Sequence, residues 1–194
     1  MTDGRPAPKD PFADGRVLHF VRHGQYYDGE FESGSLTALG RRQAGFVAAH
    51  FAGVPIDAIS SSDAPRAIET ADIVAEKLGL ERVVRHRVLR EVLPTSVPGF
   101  VIPRQKRAEG SRGIERVIER FFKPSRLARQ EVFICHGNLI RSLVLWVTTG
   151  RPGGFHRMIT HHGGVTTFVV VRSGIRVVAF NVQEHVPHRW RSIV

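Results

Sequence analysis

Four short stretches of this chain carry residue types that together act on a phosphoryl group: Arg22-His23-Gly24, Arg66, Glu91 and His136-Gly137-Asn138. A neutral imidazole is a good nucleophile toward phosphorus. The flanking arginines Arg22 and Arg66 disfavour an imidazolium and keep His23 unprotonated. Their guanidinium forks also hold phosphoryl oxygens bidentately and offset charge in the transition state. A helix starting near Asn138 adds unpaired backbone N–H groups to such an anion pocket. A carboxylic acid is still needed, to protonate the leaving oxygen and later to deprotonate water, and Glu91 is the best-placed candidate. Each residue has a plainer reading. A histidine at a strand end is more often structural than catalytic, Arg66 in the first turns of a helix is an ordinary surface residue, Glu91 is an exposed partner for Arg90, and His136 is a helix cap. Convergence favours the chemical reading, because the whole set falls at or just after the carboxyl ends of expected strands.

Those strands are legible as apolar runs. Val17 to Gln25 (VLHFVRHGQ) has the length and composition of a buried strand, ended by a basic pair and a glycine that lets backbone approach a ligand. Val132 to Asn138 (VFICHGN) repeats the design. Between them, Tyr26 to Ser35 reads as a loop rich in glycine and acidic residues. A helix then opens with Thr37 as N-cap, carries Leu39, Phe46, Val47 and Phe51 as its stripe, and ends before Gly53 and Pro55. Ile56 to Ile59 is a second short strand. Ser60 to Asp63 is a cluster of capping residues before a helix from Ala64 to Leu78, stopped by Gly79. Val83 to Glu91 reads as a third strand or an irregular edge, and Leu93 to Gly110, with three prolines, as a loop. Helices follow over Gly113 to Phe122 and Leu139 to Val147. Val165 to Val171 and Ile175 to Phe180, joined by Arg172-Ser173-Gly174, form a hairpin. This order predicts an α/β fold, a three-layer α/β/α sandwich whose central sheet is mostly parallel with an antiparallel C-terminal hairpin. Residues 16–194 form one domain, and 1–15 a disordered lead-in.

Composition narrows the classes. At 194 residues and 42% hydrophobic content the chain is most economically a single globular domain. No run reaches the roughly 18 apolar residues of a membrane helix, and the polar, proline-rich start lacks the apolar centre of a secretory signal. The one cysteine, Cys135, fits a reducing compartment, so the expected location is cytoplasmic. A net charge of +10, from 28 Lys and Arg against 18 Asp and Glu, favours anionic partners. Nucleic acid is not among those expected: the basic residues are scattered, and only two Tyr and two Trp are available for base stacking.

Four blocks occurring in order carry a resemblance to a known family: Arg22-His23-Gly24-Gln25, Leu36 to Ala44 (LTALGRRQA), Ser61 to Ala71 (SSDAPRAIETA) and His136 to Arg141 (HGNLIR). Together they resemble the histidine phosphatase (phosphoglycerate mutase-like) superfamily. RHGQY followed by LREVLPT is most similar to the mitochondrial phosphoglycerate mutase-like Ser/Thr phosphatase group. The resemblance implies that His23 is the nucleophile that becomes phosphohistidine, that Arg22, Arg66 and His136 bind the phosphoryl group, and that Glu91 is the proton donor. It implies secondary substrate contacts at Gln25, Thr37 and the backbone near Asn138, and a further one at His162, in the loop before the fifth strand. It also implies no cofactor. A zinc site on His161 and His162 is the rival for that pair, disfavoured because no Cys or carboxylate lies nearby at ligand spacing. Mutases of the family carry a longer insertion between proton donor and second histidine than the segment from Val92 to Gln130 here. A shorter insertion leaves water access to the phosphohistidine, which favours hydrolysis. The expected activity is phosphate monoester hydrolysis on a phosphorylated small molecule or phosphoprotein. A mutase-type phosphotransferase and a catalytically idle phosphate-binding module are the alternatives, and the outer strand of the hairpin offers an edge for a homodimer.

Overall fold

A computed structural model of the chain describes residues 15–27, 34–125 and 127–193. The expected lead-in therefore lies outside the described residues except for Gly15, as does the middle of the loop after Tyr27. Strands β1 (Arg16–Arg22), β2 (Ala58–Ser61), β3 (Val83–Arg85), β4 (Arg129–Cys135), β5 (Val165–Val171) and β6 (Gly174–Val182) form one sheet in the order β3-β2-β4-β1-β5-β6. The pairs β2–β3, β2–β4 and β1–β4 are parallel, while β5 runs antiparallel to β1 and β6 antiparallel to β5. The expected architecture holds, and β6 is the outer strand on that side.

Strand alternation supplies both faces with a core. Leu18 and Phe20 of β1, Phe133 of β4 and Phe168 of β5 point to one face, where they meet α3 (Arg104–Phe121) and α4 (Gly137–Thr149) through Ile114, Val117, Leu139 and Leu143. Val21, Ile59, Val132, Ile134 and Val165 point to the other, against α1 (Ala38–His50) and α2 (Pro65–Leu78) through Val47, Phe51, Ala71 and Val74. Phe20 is fully buried and its ring centroid lies 4.9 Å from that of Phe133. Truncating such a residue to alanine costs about 3–5 kcal/mol.

Several boundaries differ from expectation for identifiable reasons. α3 begins at Arg104, nine residues before Gly113, since the prolines that define the loop all precede it and Pro103 occupies its N-cap. The third strand stops at Arg85, and Arg87–Leu89 turns as a 3₁₀ helix that buries Leu89. Ser60 and Ser61 belong to β2 instead of a cap, and Ala64 caps α2 with no side-chain bond. On α1 the buried face holds Gly40, Gln43, Ala44, Val47 and Ala48, while Leu39 and Phe46 are only half-buried. Gln43 takes a core position because its amide ties two segments: Oε1 accepts from Gln25 N at 2.8 Å, and Nε2 donates to Trp190 O at 2.8 Å.

Candidate active site

The register of the central parallel pair sets Arg22 opposite Cys135, so the next residue on each strand is a histidine. His23 N donates to Cys135 O at 3.0 Å, extending the ladder by one step. The rings of His23 and His136 lie 5.0 Å apart between centroids, and both are buried. Arg66, from the first turn of α2, reaches between them. Its Nε donates to His23 Nε2 at 3.1 Å and its Nη2 to His136 Nδ1 at 3.2 Å.

The donors around each ring fix its tautomer. His23 Nδ1 lies 2.8 Å from the carbonyl of Gly24, which only accepts, so the proton sits on Nδ1 and Nε2 presents a lone pair. His136 is the reverse: Nδ1 accepts from Arg66, and Nε2–H donates to Ser62 Oγ at 3.0 Å. Both pKa values are held well below 6.5. For His23 burial is the largest cause, followed by repulsion from His136, Arg22 and Arg66; the cations invoked from sequence act second to desolvation. For His136 burial again leads, ahead of Arg66 and Arg22.

Arg22 enters from β1. Its Nη1 donates to Thr160 O at 2.7 Å, and its Nε is buried with no hydrogen-bond partner among the described residues. Gly137 makes room for it, because a Cβ there would stand 3.4 Å from Arg22 Nε and 2.7 Å from Thr160 Oγ1. Glu91 follows the 3₁₀ turn. One carboxylate oxygen, Oε1, accepts from Leu139 N in the first turn of α4 at 3.1 Å and from Val92 N at 3.3 Å. Burial raises the Glu91 pKa above its ordinary value against the opposing pull of Arg22 and of those two N–H groups. With Oε1 occupied by two donors, Oε2 is the oxygen left to take up a proton.

Arg22, Glu91 and Asn138 line a cavity of about 240 Å³ together with Tyr26, Gly137, Arg141, Ile159, Thr160 and Ile193. The structure thus brings Arg22, His23, Arg66, Glu91, His136 and Asn138 to one end of the sheet. His162 joins them in the loop before β5: it is fully buried, its ring is 5.7 Å from that of His23, and its Nδ1 lies 2.9 Å from Ser192 Oγ. Its Nε2 has no hydrogen-bond partner among the described residues. Burial, then Arg22, lowers its pKa to about 3. Thr37 and Gln25 stand apart from the cavity. Thr37 Oγ1 accepts from Gly40 N at 3.1 Å as the expected N-cap and donates to Gln25 Oε1 at 2.9 Å, so the pair fastens the loop after His23 to α1.

Three participants went unsingled by sequence reasoning. Ser62, which orients His136, sits in a serine run read only as capping residues. Tyr26 packs edge-on to His23 at 5.3 Å and under the Arg66 guanidinium at 4.5 Å. Arg141 lies three residues beyond Asn138 on α4, bonds its side-chain oxygen, and donates from Nη1 to Met158 O at 2.7 Å. That i, i+3 spacing within HGNLIR was the available signal. Among the described residues no group of three or more His, Cys, Asp or Glu is arranged to hold a metal ion. His161 and His162 have separate partners, His161 Nδ1 lying 2.9 Å from Asn181 Nδ2.

Known proteins resemble this chain in sequence and in fold. The profile of the Histidine phosphatase superfamily (branch 1) matches residues 18–99. The mouse serine/threonine-protein phosphatase PGAM5, mitochondrial, is 32% identical over 173 residues, covering 82% of this chain and 59% of that protein. The chain is thus similar to proteins of the histidine phosphatase superfamily. It spans about 59% of the length of the curated relatives it matches first. Among solved histidine phosphatase-like folds, a structure described as mycobacterial hydrolase 1 superposes with a TM-score of 0.67 at 21% identity, over 87% of this chain and 99% of that one. A phosphoserine phosphatase variant from Entamoeba histolytica in complex with phosphoserine superposes at 0.64 with 18% identity, over 89% of this chain and all of the other. These two likenesses establish the shared fold. The cytoplasmic location expected from the single cysteine is not shared by the curated relatives, whose names put those proteins in mitochondria.

Proposed function

We propose that this protein is a histidine phosphatase that hydrolyses phosphate monoesters through a covalent phosphohistidine on His23. The observation that carries the reading is the lone pair on His23 Nε2, fixed by the Gly24 carbonyl behind the ring and met by Arg66 in front. Phosphorus approaching Nε2 requires the Arg66 Nε–H to shift from that lone pair to a phosphoryl oxygen. Arg22 and Arg66 then hold the charge that spreads over the oxygens, and His136 Nδ1 steadies the Arg66 guanidinium from behind. As the N–P bond forms, the ester P–O bond breaks and its oxygen takes the proton of the Glu91 acid. Glu91, now a carboxylate, removes a proton from water as that water attacks phosphorus. The P–N bond breaks, its electron pair returns to Nε2, and inorganic phosphate leaves with Glu91 reprotonated.

The reading is supported by the elevated Glu91 pKa, which favours a carboxylic acid ready to donate. Similarity to proteins named serine/threonine-protein phosphatases supports a phosphorylated protein or small molecule as substrate. The test is to trap labelled phosphate from an aryl phosphate on the protein. Label that is acid-labile and base-stable is expected on the wild type and absent from His23→Ala, and label persisting in that variant sinks the nucleophile assignment.

A further inference from the structure

Beside the phosphate pocket lies a second, larger cavity of about 530 Å³, and Glu91 belongs to the walls of both. Four of its lining residues are cationic: Arg87 and Arg90 from the 3₁₀ turn, and Lys106 and Arg116 from α3. All four are exposed, and Arg90 also pairs with Asp63 at 2.6 Å. Against them the lining sets Glu91, which the proposed chemistry uses, and Glu109, whose Oε1 accepts from Gln105 along the helix at 3.3 Å. The wall is built for closeness as well as charge. A Cβ on Gly110 would lie 2.7 Å from the Leu93 carbonyl carbon, and one on Gly113 would lie 3.1 Å from Val92 Cγ1. Those two glycines let α3 settle onto the 92–94 segment, leaving a trough between the helix and the turn that carries Glu91.

Length decides what fits. Lys106 and Arg116 stand ten residues apart on one helix, roughly 15 Å along its axis. That spans about four or five residues of extended peptide, room for several acidic side chains in a row. We propose that this trough is a docking groove for an acidic stretch of a phosphoprotein substrate, whose phosphorylated residue enters the neighbouring pocket. Opposite charge across such a surface speeds encounter and selects partners, and Glu91 stands in the wall of both cavities, which makes them neighbours. The inference rests on the phosphatase reading above, and its test separates the two.

Two phosphoserine peptides of equal length are compared, one flanked by glutamates and one by glutamines at the same positions. Wild-type protein is expected to turn over the glutamate peptide with a kcat/KM about tenfold higher, the gap closing as salt rises. In K106E/R116E the preference is lost or inverted while turnover of an aryl phosphate is unchanged; K106Q/R116Q falls between. Equal use of the two peptides by the wild type, or an equal loss on both peptides in the variant, overturns the docking groove and leaves the phosphatase standing. If the wild type fails on the aryl phosphate, the phosphatase reading falls instead. Fluorescence anisotropy of the labelled peptides then still reads the groove, which requires tighter binding of the glutamate peptide by the wild type than by K106E/R116E.

Discussion

The strand ends of β1 and β4 look alike in sequence and do opposite things in space. Each is an apolar run closing in His-Gly, and the parallel register brings the two imidazoles side by side. Yet one ring spends its proton on a backbone carbonyl and the other on a serine hydroxyl. The first arrangement leaves Nε2 of His23 as a lone pair, the second leaves Nδ1 of His136 as an acceptor for Arg66. Twin motifs therefore differ by what stands behind each ring, and that partner is supplied by another part of the chain only for His136. A carbonyl partner is built into the backbone, whereas a hydroxyl partner is removable by mutation.

Breaking the pair unequally sharpens the contrast. His23→Ala is expected to lower kcat on an aryl phosphate by about 10⁴-fold or more, the scale for loss of a nucleophile. His136→Ala should cost about 10²–10³-fold, the scale for one transition-state donor or its support, and should still form some phosphoenzyme in single turnovers. Equal loss in the two variants would erase the distinction. Glu91→Gln should slow esters with poor leaving groups far more than aryl phosphates, measured as a steeper dependence of kcat on leaving-group pKa; a uniform loss would argue against the acid role.

Acid should expose how many such neutral histidines the fold holds. Folded His23 and His136 resist protonation well below 6.5, and burial lowers His19 to about 4 and His162 to about 3. As pH falls through 6.5 the unfolded chain takes up protons that the folded chain refuses. Stability is therefore full above that point and drains away by up to about 1.4 kcal/mol per pH unit for each buried histidine, the contribution of His19 levelling off near pH 4 and that of His162 near pH 3. Urea melts at stepped pH should show this slope, and it should flatten in His136→Gln. The smallest effect is expected from Ser62→Ala, which strips the hydroxyl from His136 Nε2. Loss of one hydrogen bond of about 1 kcal/mol corresponds to a drop in kcat of about fivefold, with a shifted acid limb; an unchanged pH profile would show that Ser62 does not set the tautomer.

Sequence reasoning reached the layers, the mixed sheet and the clustering of Arg22, His23, Arg66, Glu91 and His136, because apolar period and strand-end chemistry are local signals. It stopped where long-range contacts decide. Gln43 is buried for the sake of Gln25 and Trp190, distant in sequence, so no periodicity announces it. Helix α3 was expected only from Gly113 because three prolines make Leu93 to Gly110 read as a loop, while in space Gly110 and Gly113 are contact points for Leu93 and Val92. The tautomers of the two histidines depend on Gly24 and Ser62, and hydrogen-bond partners are not written in residue type.

The backbone around His23 leaves no room for side chains at two glycines, which limits the substitutions the protein tolerates. Gly24, just after His23, and Gly40, in the first turn of α1, face each other backbone to backbone. A Cβ on Gly24 would collide with the Gly40 carbonyl, and one on Gly40 with the carbonyl of Gln25. Neither collision involves a flexible side chain that might swing aside. A saturation library at both positions, selected for turnover, should return glycine at each. Gly45, five residues along the same helix, meets only the tip of Lys77 at 3.8 Å, so alanine there is expected to be accepted and to stabilise the helix by about 0.5–1 kcal/mol.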